Sequence, residues 1–412
     1  GGAYIAGACL GALFFGVLTD KFGRKKLFLI TLTVYLAGTV LTAISMNPIW
    51  FFACRFLTGT GIGGEYAAIY SAIDELIPAK YRGTVDLAIS GTFWAGAMFG
   101  SLLSVGLLGE LTPSLAWRFA FGLGAIFGLV ILLVRKNVPE SPRWMFLHGL
   151  DKEADVLVSD IEKQIETQTG KKLEPADEYI TVKNAKFITI RDIMRAMVIT
   201  YPRRSILGLA MFVGQAFIYN AVFFTQVLVL IRYFNVDVAT APLFVLPLAV
   251  GNLLGPILLG PLFDSIGRKV MITFTFIASG VLLFATGLLF QAGVLNAMSL
   301  TGCWIVVFFF ASAAASSAYL TVSEIFPMET RALAIAFYYA IGTAIGGISG
   351  PLLFGKLIDV GTKESMALGY FIGAALMIVA GIAEVFLGIE TAGRSLEDIA
   401  RPLSEQPDAR AA

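Results

Sequence analysis

The chain has 412 residues, of which 57% are hydrophobic and only 14% charged, and its mean hydropathy is +0.80. Soluble domains carry about 25% charge, so composition excludes an ordinary soluble globular protein and points to a membrane protein. A net charge of +1 gives no ground for a nucleic-acid partner.

Apolar stretches of about 20 residues can each cross roughly 30 Å of hydrocarbon as a helix. In chain order they fall at 3–19, 27–46, 49–73, 84–109, 116–134, 205–231, 238–263, 270–290, 297–323, 333–358 and 366–389, eleven spans in all. Arg118, Arg232, Lys356 and Lys363 lie at one set of helix ends, and Arg55 lies within a span. The remaining Lys and Arg fall in the opposite loops, the central segment and the C-terminal tail, which the positive-inside rule places in the cytoplasm. The expected location is therefore the cytoplasmic membrane, with the linker and C-terminus inside the cell. Cys9, Cys54 and Cys303 all sit in spans, so no disulfide framework is implied, and no metal-ligand spacing appears. The single histidine, His148, lies in the central segment and excludes a histidine proton relay across the membrane.

The spans fall into two groups around a polar middle. Residues 1–135 form an N-terminal transmembrane half, 136–204 a cytoplasmic linker, 205–390 a C-terminal half and 391–412 a cytoplasmic tail. Within the linker, "DKEADVLVSDIEKQIETQTGKK" reads as short amphipathic helices. The same landmarks recur on both sides. "DKFGRK" (Asp20–Lys25) returns as "DSIGRK" (Asp264–Lys269), Glu75-x-x-Pro78-x-x-x-Arg82 as Glu324-x-x-Pro327-x-x-x-Arg331, and "PESPR" (Pro139–Arg143) as "IETAGR" (Ile389–Arg394). The offsets are 244, 249 and 250 residues. Three landmarks in one order at nearly one offset describe two related helical halves, as in transporters built from repeats. Two spans precede the second "DxxGRK" within its half and one precedes the first. The expectation is an all-α protein of two six-helix halves whose first helix, about 40 residues with its flanks by the span rule, is absent from this sequence.

"GVLTDKFGRKK" (Gly16–Lys26) resembles the signature loop of the major facilitator superfamily. Together with "PESPR", the twin E-x-x-P-x-x-x-R motifs and the closing "ETAGRSLE", it is similar to the sugar-porter and metabolite–proton symporter branches, over nearly the whole chain. The resemblance implies a major facilitator fold and a carrier. Sugar porters have a Gln-Gln pair in the seventh family helix and an Asn five residues later; Gln215 and Asn220 match, while Gly214 replaces the first Gln. Asn252, twelve residues before Asp264, matches an Asn of the eighth helix. Ala318 and Tyr319 stand where the tenth helix has Pro-Trp, and Ser90 where the fifth has Gln. In the resembling symporters an arginine at the position of Arg55 faces a carboxylate of the first helix, the proton site. Glu65 has no counterpart in typical sugar porters; an acid after "GIGG" looks more like the organic-ion and phosphate–proton branches.

The repeated charges have a mechanical reading. Asp20, Arg24, Glu75, Arg82, Glu140 and Arg143, and their repeats Asp264, Arg268, Glu324, Arg331, Glu390 and Arg394, are expected to bridge helix ends when the cytoplasmic side is closed. As partly exposed pairs, each would contribute about 1 kcal/mol or less, which suits a gate that opens every cycle. The plainer reading is that they only set topology.

Arg55 and Glu65 share one span, separated by roughly 15 Å along the helix and about 80° around it, so they cannot pair directly. Each must face another helix, a cavity or a ligand. Gly59, Gly61, Gly63 and Gly64 are expected to allow close helix approach and leave room beside Glu65. Glu65 reads either as a proton-coupling or substrate-contacting group or as a carboxyl bonded to a neighbouring helix. Glu384 either joins the gate or serves separately, and Asp86 reads as a helix-dipole partner. Gln215, Asn220, Asn252 and Tyr319 complete the candidate binding set, with polar packing as their alternative. Tyr219 and Phe223 are further candidates for the cavity lining. "GPLLFGKL" (Gly350–Leu357) imitates a phosphate loop but ends in Leu and lies in a span, so neither ATP nor any other cofactor is expected.

The sequence thus reads as a monomeric secondary transporter, not an enzyme. It would move a small polar organic solute, a sugar or organic acid, by alternating access, with protons as the coupling ion. The alternatives are an exporter of organic cations or drugs with Glu65 as counter-charge, a passive uniporter, and a nutrient sensor that binds without transport.

Overall fold

The computed structural model describes residues 2–135, 139–170, 172–173, 190–238 and 240–403. Among them every regular element is helical. The N-terminal group is α1 (Gly2–Phe22), α2 (Arg24–Ala43), α3 (Pro48–Leu76), α4 (Arg82–Glu110) and α5 (Pro113–Arg135). Three helices follow in the connecting segment: α6 (Pro142–Leu147), α7 (Asp151–Thr169) and α8 (Ile190–Arg195). The C-terminal group is α9 (Pro202–Phe217), α10 (Gln226–Phe234), α11 (Val245–Ser265), α12 (Arg268–Gln291), α13 (Ala297–Ile325), α14 (Arg331–Gly342), α15 (Ser349–Val360) and α16 (Lys363–Leu387), with a single turn, α17 (Leu396–Ile399), in the tail. The polar stretch of the linker forms α7, one 19-residue helix rather than several short ones. Residues 136–138, 171 and 174–189 of the linker lie outside the described residues, as do 404–412 of the tail.

Several helices begin where a side chain satisfies first-turn N–H groups. Asn47 accepts from Trp50 N at 2.8 Å, with Pro48 in the first helical position. Asn296 and Ser299 cap α13 reciprocally, and Thr362 caps α16. The repeated "GRK" loops turn at Gly23 (φ 96°) and Gly267 (φ 121°), where any other residue would be strained.

Ten described helical segments are long and apolar enough to cross a membrane. One of them, Arg331–Val360, is interrupted by a π turn at Thr343–Ile348 between α14 and α15, and another, Pro202–Phe223, ends in the π turn Ile218–Phe223 that precedes α10. The eleventh expected span, α3, does not qualify by apolar character, because it carries Arg55, Glu65, Asp74 and Glu75. It still runs 29 residues and lies against both α1 and α2. Glu65, Asp74 and Glu75 are buried, and Arg55 is half-buried.

Small residues set this packing. A Cβ on Gly11 would overlap the Thr60 backbone, and one on Gly63 would overlap the Ala8 backbone, so α1 and α3 meet main chain to main chain. The N-terminal and C-terminal groups meet chiefly where α1 lies against α14 and α4 against α11. The two π turns touch each other beside these seams.

Candidate functional site

Two clusters of polar and aromatic residues lie between the N-terminal and C-terminal helices. The first ties helix ends together and is built twice. In the N-terminal copy Arg24 reaches Asp20 at 3.4 Å and Glu75 at 3.1 Å, while Glu140 accepts from the backbone N–H groups of Arg24 (2.8 Å) and Lys25 (3.2 Å) at the start of α2. The C-terminal copy repeats each step. Arg268 reaches Asp264 at 2.6 Å and Glu324 at 3.3 Å, and Glu390 accepts from Arg268 N (2.8 Å) and Lys269 N (3.2 Å). Glu140 and Glu390 thus act as anions at helix N-termini rather than as partners of an arginine side chain. The Ser141 hydroxyl donates to Glu75, and Thr391 donates to Glu324 at 2.6 Å.

The two copies are joined reciprocally. Arg82 donates to Glu324 at 3.2 Å, and Arg331 donates to Glu75 at 3.0 Å. Asp264 accepts from Gly83 N, Thr84 N and the Thr84 hydroxyl at 3.1, 2.7 and 2.5 Å, and Asp20 accepts from Leu333 N at 3.2 Å. Each carboxylate thus reaches across to the N-terminal turn of a helix in the other group.

Three expectations need correction. The pairs are not partly exposed: the side chains of Glu75 and Glu324 are 0% exposed and those of Arg24, Arg82, Arg268 and Arg331 at most 4%. Removing one member of such a pair leaves a buried charge uncompensated, at a cost of about 3–5 kcal/mol, well beyond a surface bridge. Arg143 turns to Glu397 (2.7 Å) and to the Glu75 carbonyl (2.5 Å), so it ties the connecting segment to the tail. Arg394 is exposed, and no ion pair joins it to a described residue. Glu397, Ser141, Thr391 and Thr84 were missed by the sequence reading. The signal was there for three of them, within "PESPR" and "ETAGRSLE". Burial, the largest single influence, disfavours the charged form of both Arg143 and Glu397, but their mutual hydrogen bond and the surrounding opposite charges together outweigh it. The Glu397 carboxyl is held below, and the Arg143 guanidinium above, its ordinary range.

Two of the sequence candidates, Asp86 and Glu384, fall outside this scheme. Asp86 is completely buried, one residue beyond the first turn of α4, and neither oxygen accepts a hydrogen bond from a described residue. It faces Asp74, Glu324, Arg268 and Arg82 and is no simple helix-dipole partner. Glu384 is 1% exposed, and its oxygens likewise accept nothing from described residues, so it does not join the ion-pair network.

The second cluster lies in the interior. Arg55 stacks over the rings of Tyr4 (4.6 Å) and Phe121 (5.2 Å). Glu65 is buried, and Tyr4 and Tyr35 lie near both charges. The expected room beside Glu65 is filled by α1: a Cβ on Gly64 would run into Phe15, as one on Gly63 would into Ala8. Gln215 is buried on α9. The Asn220 amide donates to Ala216 O at 2.8 Å and sits beside Gly347 of the second π turn. Asn252 is fully buried; it accepts from the Tyr219 hydroxyl at 2.7 Å and donates to Leu248 O at 2.9 Å.

Rings dominate this interior. Tyr319 of α13 stacks on Tyr70 at 4.5 Å and on Tyr66 at 5.4 Å, both from α3, with planes 16° and 29° apart. Tyr339 lies 5.1 Å from Tyr66, and Phe212 meets Tyr319 edge-on. Trp94 stacks on Tyr219 at 5.5 Å, and Phe223 and Phe308 complete that wall. The Tyr70 and Ser90 hydroxyls share a 2.8 Å hydrogen bond. The sequence reading picked out Tyr319 and considered Tyr219 and Phe223. It missed Tyr66, Tyr70 and Trp94, whose i, i+4 placements (66/70 on α3, 90/94 on α4) put them on common helix faces.

The family model described as sugar (and other) transporter matches residues 2–403 of the chain. The chain belongs to that family. It is a multi-pass membrane transporter of the major facilitator superfamily and not an enzyme. It is 28% identical over 396 residues to the niacin transporter NiaP of Acinetobacter baylyi, covering 95% of this chain and 85% of the relative. It is 27% identical over 445 residues to organic cation/carnitine transporter 7 of Arabidopsis thaliana, covering 98% and 86%. In fold it is similar to the proton:xylose symporter XylE solved with 6-bromo-6-deoxy-D-glucose, at a TM-score of 0.78 and 20% identity over 97% of this chain and 87% of that one.

Proposed function

We propose that this transporter carries a small polar organic solute, a sugar or organic acid, together with protons, by alternating access between its two halves. The observation that carries the reading is the reciprocal crossing of Arg82–Glu324 and Arg331–Glu75, which joins the two halves at one end of the bundle. By the distribution of positive charge that end is cytoplasmic. Separation of the halves there would hydrate the four arginines and their acids together, since each is compensated by the others. Glu65, buried near Tyr4 and ten residues from Arg55 on α3, is the coupling group, and Gln215, Asn220, Asn252 and Tyr319 line the solute path. The relatives' printed solutes, niacin, organic cations and xylose, support the carrier class and span several chemistries.

The test is uptake by the complete protein in liposomes, with and without an inward proton gradient, for sugars, organic acids and organic cations. Gradient-driven accumulation that falls to exchange without accumulation in Glu65→Gln supports symport at Glu65. Accumulation unaffected by that substitution removes Glu65 from coupling. Competition by lipophilic cations with no response to sugars or acids would favour a cation exporter, for which a buried carboxylate beside the path is the specific ground.

A further inference from the structure

The interior polar groups are largely engaged with one another, whereas the ring faces are the surface the two halves share. The Tyr70 hydroxyl is bonded to Ser90, the Tyr219 hydroxyl to Asn252, and the Asn220 and Asn252 amides to backbone carbonyls one turn back. These bonds take up part of the donors and acceptors a hydroxyl-rich ligand would use, whereas stacking on a ring face draws on none of them.

Tyr66 and Tyr70 sit one turn apart on α3 with ring planes 14° from parallel and centroids 6.2 Å apart. Tyr319, on the opposite side of the seam, lies across both of them. Tyr319 is thus a planar aromatic group already docked on a two-ring platform, supplied by the half that must move away when the seam opens. Trp94 and Tyr219, stacked at 5.5 Å and 26°, form a second such pair across α4 and α9–α10. A polar group is close by: Ser90 adjoins Tyr70.

We propose that the Tyr66–Tyr70 platform is a binding site for a planar, single-ring aromatic or heteroaromatic solute, which takes the place of the Tyr319 ring when the halves part. This rests on the carrier reading above and narrows its solute to rings over hexoses. Stacking between aromatic faces depends on a flat π surface, so a saturated ring of equal charge and similar size is the discriminating control.

The experiment is a calorimetric titration of the complete purified protein in detergent with matched pairs: benzoate against cyclohexanecarboxylate, and benzylamine against cyclohexylmethylamine, with D-xylose alongside. The expected result is that the aromatic member of at least one pair binds about tenfold or more tighter than its saturated partner, as two stacked faces provide. That ratio should collapse in Tyr66→Leu or Tyr70→Leu and persist in Tyr66→Phe, which keeps the ring and controls for misfolding. Equal binding within both pairs, no binding of either aromatic probe, or tighter binding of D-xylose overturns the proposal without needing any variant. Counterflow of the bound ring in liposomes separates the two readings. Binding with the aromatic preference but no flux overturns the carrier reading and leaves the site. Flux of sugars alone overturns the site and leaves the carrier.

Discussion

Arg82 and Glu324 are 242 residues apart in the chain and 3.2 Å apart in the fold, and the repeat places Arg331 against Glu75 in the mirror arrangement. Each carboxylate therefore holds one arginine from its own half and one from the other: Glu75 has Arg24 and Arg331, Glu324 has Arg268 and Arg82. Two acids shared among four buried guanidiniums make the contacts at this end depend on one another.

Buried acids at this end should respond oppositely to neutralisation. Glu324→Gln leaves Arg82 and Arg268 facing an uncharged group in a buried site and should lower stability by about 3 kcal/mol or more. Asp86→Asn removes a carboxylate that accepts no hydrogen bond from described residues and should raise stability by on the order of 1 kcal/mol, seen as a higher melting temperature. Thermal melts in detergent at neutral pH check both, and a fall for Asp86→Asn would show that its charge is needed by Arg82 or Arg268.

Gly63→Ala should be among the most damaging single-methyl additions, because the new Cβ would overlap the Ala8 main chain, which cannot swing aside. Overpacking of this kind costs about 1–3 kcal/mol where neighbours yield, and more against backbone. Gly96→Ala on α4, where the added Cβ meets nothing within 4 Å, is the control and should be neutral in expression and melting temperature.

The Arg143–Glu397 pair gives the tail a pH dependence. Glu397 titrates below its unfolded value, so its contribution is fully present above the ordinary carboxylate range, near pH 4.3, and is lost as pH falls through the lowered folded value. Limited proteolysis after α17 should accelerate only on acidification below about pH 4. In Glu397→Gln cleavage should be fast at all pH values.

The fold was legible because its signals are long or repeated: apolar runs of membrane length, and the twin D-x-x-G-R-K and E-x-x-P-x-x-x-R landmarks. The ion-pair end was legible for the same reason, since Asp20, Arg24, Glu75 and Arg82 repeat as Asp264, Arg268, Glu324 and Arg331 and all eight meet. Its burial was not legible, because enclosure by protein at a helix end leaves no mark in local sequence. Nor was the crossing between copies, which depends on how the halves dock. The room expected beside Glu65 was misjudged for a related reason: a glycine run signals a close approach but not which side chain fills the gap, here Phe15. The tyrosine stack was missed because 33 Phe, 13 Tyr and 5 Trp in an apolar chain give no single ring prominence until ring planes are known.

The central claim is that the reciprocal arginine–carboxylate crossing holds one end of the carrier shut, and the distance across that end tests it most directly. With Cys9, Cys54 and Cys303 replaced, spin labels at the exposed positions Tyr81 and Ile266 flank the Gly83–Thr84 contact with Asp264. Pulsed electron–electron double resonance should show a dominant short-distance population in the otherwise native protein. In Arg82→Gln combined with Arg331→Gln that population should move to longer distances. Identical distributions in the two proteins would contradict the account.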